Sequence, residues 1–170
     1  MFQLDKLADI IIIDTGAGIA DSVLEFVAAS SEVILVATPE PTSITDAYAL
    51  LKTLNKKSEF SVDNTNICML ANRISNEADG KELFEKLKVV ADKFLQIPLT
   101  YLGGVPQDGN VSRAVIQQKP VTQLYPNSEA SKAIVRIAVK LCNGTETVVQ
   151  EKKGMAQLFS NLIKSKYRKK

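Results

Sequence analysis

Four short apolar runs constrain this chain more than any other feature: Ile10–Ile13, Val33–Ala37, Ile67–Ala71 and Tyr101–Val105. Each stops abruptly, at Asp14, at Thr38-Pro39, at Asn72-Arg73 and at Pro106. Apolar runs this short, without polar alternation, read as strands buried on both faces, the mark of a parallel sheet.

The stretches between them have helical periodicity. Asp21–Ala29 places Val23, Phe26 and Val27 on one face. Ser43 is a candidate cap for the next helix, with Asp46 as its reciprocal partner and Ala47, Leu50, Leu51 and Leu54 as its stripe. Asn76–Phe94 presents Leu83, Leu87, Val90 and Phe94; Asn110–Gln118 is a short helix; Ser128–Cys142 presents Ala130, Ile134, Ile137, Ala138 and Leu141. The order βαβαβαβαα predicts an α/β fold: a parallel sheet with right-handed crossovers, helices on both faces, and a ligand crevice at the strand C-termini. Residues 1–142 form the predicted domain, the polar stretch 143–153 a linker, and 154–170 a separate terminal helix.

Composition closes several routes. With no histidine, Ser-His-Asp and Cys-His nucleophile systems and His-ligated metals are excluded. Cys68 and Cys142 are far apart and read as reduced thiols. No apolar run reaches the ~18 residues of a membrane span. The N-terminus lacks a basic leader and its apolar stretch ends in an acid, so no signal peptide is expected. The localisation expected is cytoplasmic. Net charge is only +2, but it is unevenly placed. Residues 151–170 hold seven basic residues and one acidic residue, leaving 14 basic and 18 acidic residues in the first 150. A basic tail on a mildly acidic body points to an anionic partner.

Four segments at strand ends could carry chemistry. In DIIIIDTGAG an apolar run delivers Asp14 to the sheet edge, where a carboxylate can hold Mg²⁺, and Gly16 and Gly18 allow a loop to approach a phosphate. An aspartate that merely caps a turn fits hhhhD equally well. VATPEPTSITDAYALLK stiffens a strand-to-helix loop with Pro39 and Pro41, and by itself reads as a well-capped helix. Asn72-Arg73 offers an amide that can read a purine edge, or an ordinary Asn turn beside a surface arginine. VPQDGNVSRAV places a Pro106-Gln107-Asp108 loop where a base could lie beside Asn72, or is a plain βα turn.

Taken together and in this order, DTGAGI, TPEPTSITDAYALLK, NR and VPQDGNVSRAV resemble the corresponding segments of the MinD/ParA superfamily of P-loop ATPases. The wording is most like the flagellar-placement branch, FlhG or YlxH, and the likeness covers about residues 5–142. The resemblance implies that Asp14 is the Walker-B residue holding Mg²⁺ and that Thr15, Gly16 and Gly18 belong to the switch II loop. It implies that Asn72 and Arg73, with Pro106, Gln107 and Asp108, lie on the adenine side of ATP. It also implies ATP-driven self-association, reversible membrane binding, and control of flagellar number and position through FlhF and switch-complex proteins.

One departure is large. The superfamily's Gly-rich Walker A loop, G-x-x-x-x-G-K-S/T, occurs nowhere in this sequence. Weak nucleotide binding and little hydrolysis are therefore expected of this polypeptide by itself, since that loop supplies most phosphate contacts. Ile10–Ile13 is expected to form an uncovered sheet edge that invites another chain.

In the tail, Met155, Leu158, Phe159, Leu162 and Ile163 recur at helical spacing, and Lys164, Lys166 and Arg168 supply charge. An amphipathic basic helix suits an anionic membrane surface. Packing on its own domain, or nucleic acid, would use the same residues, but aromatic interleaving is sparse. A non-enzymatic membrane-bound or dimer-partner remnant and a ParA-like DNA-segregation protein are the alternatives.

Overall fold

The computed structural model describes residues 8–144; the predicted tail helix and most of the linker lie outside them. Three parallel strands form one sheet in the order β1-β2-β3: β1 Glu32–Ala37, β2 Asn66–Ile74 and β3 Leu99–Pro106. Around them lie α1 (Asp21–Ala29), α2 (Pro41–Leu54), α3 (Glu77–Leu95), α4 (Gly109–Ile116), α5 (Val121–Leu124) and α6 (Glu129–Gly144). None of the helices among the described residues is long and apolar enough to cross a membrane.

Helices cover both faces, as the alternation predicted. On one side α2 and α3 seal the main core, built from Leu35, Ala37, Leu51, Leu54, Met69, Leu83 and Leu87, with Leu24 of α1 joining it. On the other, α6 lays Ala130 and Ala133 against Val105. Asn76 starts α3 because its side chain accepts the Asp79 N–H at 3.1 Å, satisfying one of the helix's orphan donors. Phe84 of α3 packs 5.3 Å from the Tyr101 ring of β3, and the Tyr101 hydroxyl donates to Glu77 at 3.1 Å. Burial first, and then the Glu77 carboxylate, push that phenol up to about 12.

Several expectations are corrected. Ile10–Ile13 forms no strand: residues 8–20 contain neither strand nor helix, and Ile10 and Ile12 are 67% and 87% exposed. A strand exists through its ladder, and this run makes none: β1 pairs with β2 alone and its outer edge carries no partner among the described residues. The bare edge therefore belongs to β1, and beside it Ile34 and Val36, on the face opposite Leu35 and Ala37, are 47% and 52% exposed. Ser43 is not the cap of α2. The helix begins earlier, with Pro41 in its first turn, and the Ser43 hydroxyl instead accepts the Thr38 N–H at 2.9 Å. Phe94 points to solvent, and Leu95 takes its place in the buried stripe of α3. Gly144, assigned to the linker, ends α6. The four-residue α5 was not anticipated.

Candidate functional site

The C-terminal ends of β1, β2 and β3 open on one edge of the sheet, and each carries one of the sequence segments singled out above. The register of β2 on β3 explains how they meet. Asn72 pairs with Val105 and Ile74 with Pro106, so Arg73 is an extra residue, a bulge at the end of the strand. Its φ is 57°, a left-handed conformation uncommon for a residue with a β-carbon. Bulges re-aim side chains at sheet edges, and this one throws the guanidinium sideways across the neighbouring loops.

The arginine makes two contacts there. Its Nη1 lies 3.1 Å from Glu40 Oε1 in the β1–α2 loop, and its Nε donates to Gln107 Oε1 at 3.0 Å in the β3–α4 loop. Glu40 is steadied by the Thr38 hydroxyl at 3.2 Å, and Gln107 by its own N–H donating to the Ile74 carbonyl at 2.9 Å. Both members of the Arg73–Glu40 pair are more than half exposed, so the ion pair is worth ~0–1 kcal/mol of stability. What it supplies is geometry: three loops held at fixed separation. Asn72 is half-buried beside the bulge, and its Oδ1 accepts the Arg73 N–H at 3.0 Å.

Asp108 anchors the floor of this edge. Its carboxylate accepts the Asn110 N–H at 2.8 Å, capping α4, and the Ala130 N–H at 3.2 Å in the first turn of α6. Those backbone donors hold its carboxyl below the usual carboxylate range, Asn110 contributing most. Asp108 is thus occupied with two helix starts.

The sequence reading placed Asn72, Arg73, Pro106, Gln107 and Asp108 in one site, and they do converge. It gave no role to Glu40 or Thr38. The available signal was charge: an acid and an arginine stand at the ends of two adjacent parallel strands. Asp14 is exposed and lies in the irregular N-terminal stretch. Gly16 and Gly18 have open surroundings, Gly18 with φ +103°. Among the described residues no group of three acidic or thiol side chains gathers at a metal-binding distance.

No protein-family model matches the chain. Among curated proteins it is 45% identical to the antiactivator FleN of Pseudomonas aeruginosa over 133 residues, which are 78% of this chain and 46% of FleN. It is 34% identical to the flagellum site-determining protein YlxH of Helicobacter pylori over 159 residues, 92% of this chain and 52% of YlxH. The chain thus spans about half the length of these relatives. Among solved structures it superposes on a ParA family ATPase from Chlorobium tepidum with a TM-score of 0.53 at 20% identity, covering 73% of this chain and 46% of that one. Parallel strands, helices on both faces and linked strand-end loops define the class, a partial P-loop NTPase fold of the MinD/ParA type. The chain belongs to the MinD/ParA family, in its FlhG-like branch, and corresponds to a C-terminal portion of it.

Proposed function

We propose that this chain is the base-binding portion of a FlhG-type ATPase that regulates flagellar number and placement. One observation carries the reading. The Glu40–Arg73–Gln107 bridge ties together the strand-end segments that resemble the family's nucleotide site, with the Asn72 amide beside it. In this reading Asn72 and the Pro106–Gln107 loop receive adenine, and Asp14 holds Mg²⁺ once a Walker A segment and its strand stand beside it. Thr15, Gly16 and Gly18 then respond to the γ-phosphate. ATP binding drives self-association, and the Met155–Ile163 face with Lys164, Lys166 and Arg168 lies on the anionic inner surface of the membrane. FlhF and switch-complex proteins are the partners the FlhG resemblance implies.

The names of the relatives support flagellar regulation: one is an antiactivator and the other a site-determining protein. The test is a chimera in which this chain replaces the matching portion of FleN in Pseudomonas aeruginosa lacking its own copy. Flagellar counts per cell should return to those of the parent strain. A stably expressed chimera that leaves the count unrestored, while a FleN control restores it, would refute the reading.

A further inference from the structure

We propose that a pocket beside the edge strand β3 binds a small apolar α-amino acid, with Arg136 and Lys140 taking its carboxylate and Glu77 its ammonium group. The pocket shares no residue with the Asn72–Asp108 cluster, so the inference stands apart from the nucleotide reading.

The hollow originates in the strand. Met69 pairs with Tyr101 and Leu70 with Gly103, so Leu102 is an extra residue, a bulge in β3. Gly103 follows with φ +146°, a conformation open to glycine, and Gly104 comes next. A bulge followed by two residues without side chains leaves a concave stretch of strand, and α6 supplies the facing wall. The volume is about 220 Å³. Pockets for drug-sized ligands run to ~300–1,000 Å³, so the occupant here is smaller. Leu102 and Ala133, both buried, and the half-buried Ile137 give it an apolar lining.

Its charges are split between two elements. Arg136 and Lys140 stand one turn apart on α6, and Glu77 begins α3. Lys140 Nζ donates to the Tyr101 carbonyl at 2.7 Å and to the Leu102 carbonyl at 3.1 Å, which fixes the ammonium and leaves it one N–H. The same bonds occupy carbonyls that a strand added to β3 would need, so an extended peptide is not the occupant. Arg136 makes no hydrogen bond or ion pair among the described residues. Glu129, which its charge helps keep ionised, is bonded instead to Lys132 at 2.8 Å. Glu77 Oε1 accepts the Tyr101 hydroxyl, while Oε2, 3.4 Å from where a β-carbon on Gly104 would lie, accepts nothing among the described residues. Opposite charges that line one hollow without touching leave a gap for a ligand to span. A plain anion would meet Glu77 there, and a plain cation would meet Arg136. An α-amino acid carries both groups on one carbon, can make charge-assisted hydrogen bonds to each wall, and turns its side chain to the apolar lining.

The test uses the ¹⁵N-labelled 170-residue chain. L-Valine, propionate and ethylamine are titrated separately to millimolar concentration while the backbone signals of Gly103 and Gly104 and the Arg136 Nε signal are followed. Propionate lacks the ammonium group and ethylamine the carboxylate. Valine should bind about tenfold more tightly than either, the scale of one hydrogen bond to a charged group, and should leave the Asn72 and Gln107 signals in place. Arg136→Gln and Glu77→Gln each neutralise an exposed side chain, so the fold is kept, and each should weaken valine about tenfold. In Glu77→Gln the affinities for valine and propionate should fall within about threefold of each other, a convergence that a purely structural role for Glu77 would not produce. Absence of any valine-dependent shift at Gly103 and Gly104 overturns the proposal. So does propionate binding as tightly as valine to the wild-type chain, which would make the hollow a plain anion site, and so does valine binding unchanged in both variants.

Discussion

The two sides of the sheet differ sharply. At the β2–β3 side α3 covers one face and α6 the other, and Leu87, Met69 and Ala71 are wholly buried. At the β1 side the outer edge is unpaired, Ile34 and Val36 look into solvent, and the isoleucine-rich run before them forms no strand. The bare side is the richer in β-branched residues, with Ile10–Ile13, Val33, Ile34 and Val36. The difference is in what lies beside them, which shows that apolar composition nominates a strand and a hydrogen-bonding neighbour makes it one.

The sharpest way to break that contrast is to empty the covered side. Leu87→Ala removes a side chain of zero exposure between α3 and the sheet. It should cost ~2–5 kcal/mol, since a packed core collapses only partly around the lost volume. Urea unfolding of the two chains measures this; a loss under about 1 kcal/mol would mean that the core is far looser than described.

A smaller effect comes from adding bulk. A β-carbon on Gly104 would meet Ile74 Cδ1 at 2.2 Å and the Tyr101 hydroxyl at 3.3 Å. Ile74 is itself buried and has little room to withdraw. Gly104→Ala should therefore destabilise by ~1–3 kcal/mol, read as a lowered urea midpoint with an unchanged slope. An unchanged midpoint would show that Gly104 of β3 and the Ile74 side chain at the end of β2 are not held at this close spacing.

These two sites also mark how far the sequence could be read. Parallel strands at 33–37, 67–71 and 101–105 were legible, because short unbroken apolar runs with helical stretches between them fit few other arrangements. The convergence of Asn72, Arg73 and Gln107 was legible too, since parallel strands bring their C-termini to one edge. The bulge at Arg73 was not, because register is a property of two strands and leaves no mark on either. Glu40 escaped for the same reason: its partner is on the next strand, 33 positions away. Ile10–Ile13 misled because its composition is right for a strand and its neighbour is not written beside it. Ser43 misled because Pro41 started the helix a turn earlier.

A third measurement sharpens the comparison through pH. Backbone donors from Asn110 and Ala130 depress the Asp108 carboxyl, so the folded chain holds this proton more weakly than the unfolded one, whose value is near 3.8. The sign follows: the carboxylate contributes stability fully above that pH, and the contribution disappears as pH falls through the folded value. Asp108→Asn should flatten the decline in the unfolding midpoint below about pH 4 and leave the slope above pH 5 as it was. A variant whose acid limb matches that of the wild type would show that the two helix starts do not depend on this charge.

The smallest expected change lies on the bare side, and it is the one that tests what the bareness means. Ile34→Thr/Val36→Thr keeps β-branching, so the strand propensity of β1 is preserved, while two solvent-facing apolar groups become polar. Substitutions at exposed positions move stability by about ±0.5 kcal/mol or less, so the urea midpoint should hardly shift. Self-association should move more. An exposed apolar sheet face beside an unpaired strand edge is a surface for another chain, and two hydroxyls on that face weaken it without touching the core. Sedimentation across a concentration series should show the wild-type chain associating and the double variant staying smaller at equal concentration. A fall in stability approaching that of Leu87→Ala would mean that Ile34 and Val36 are packed in solution, and the asymmetry between the two sides of the sheet would be lost.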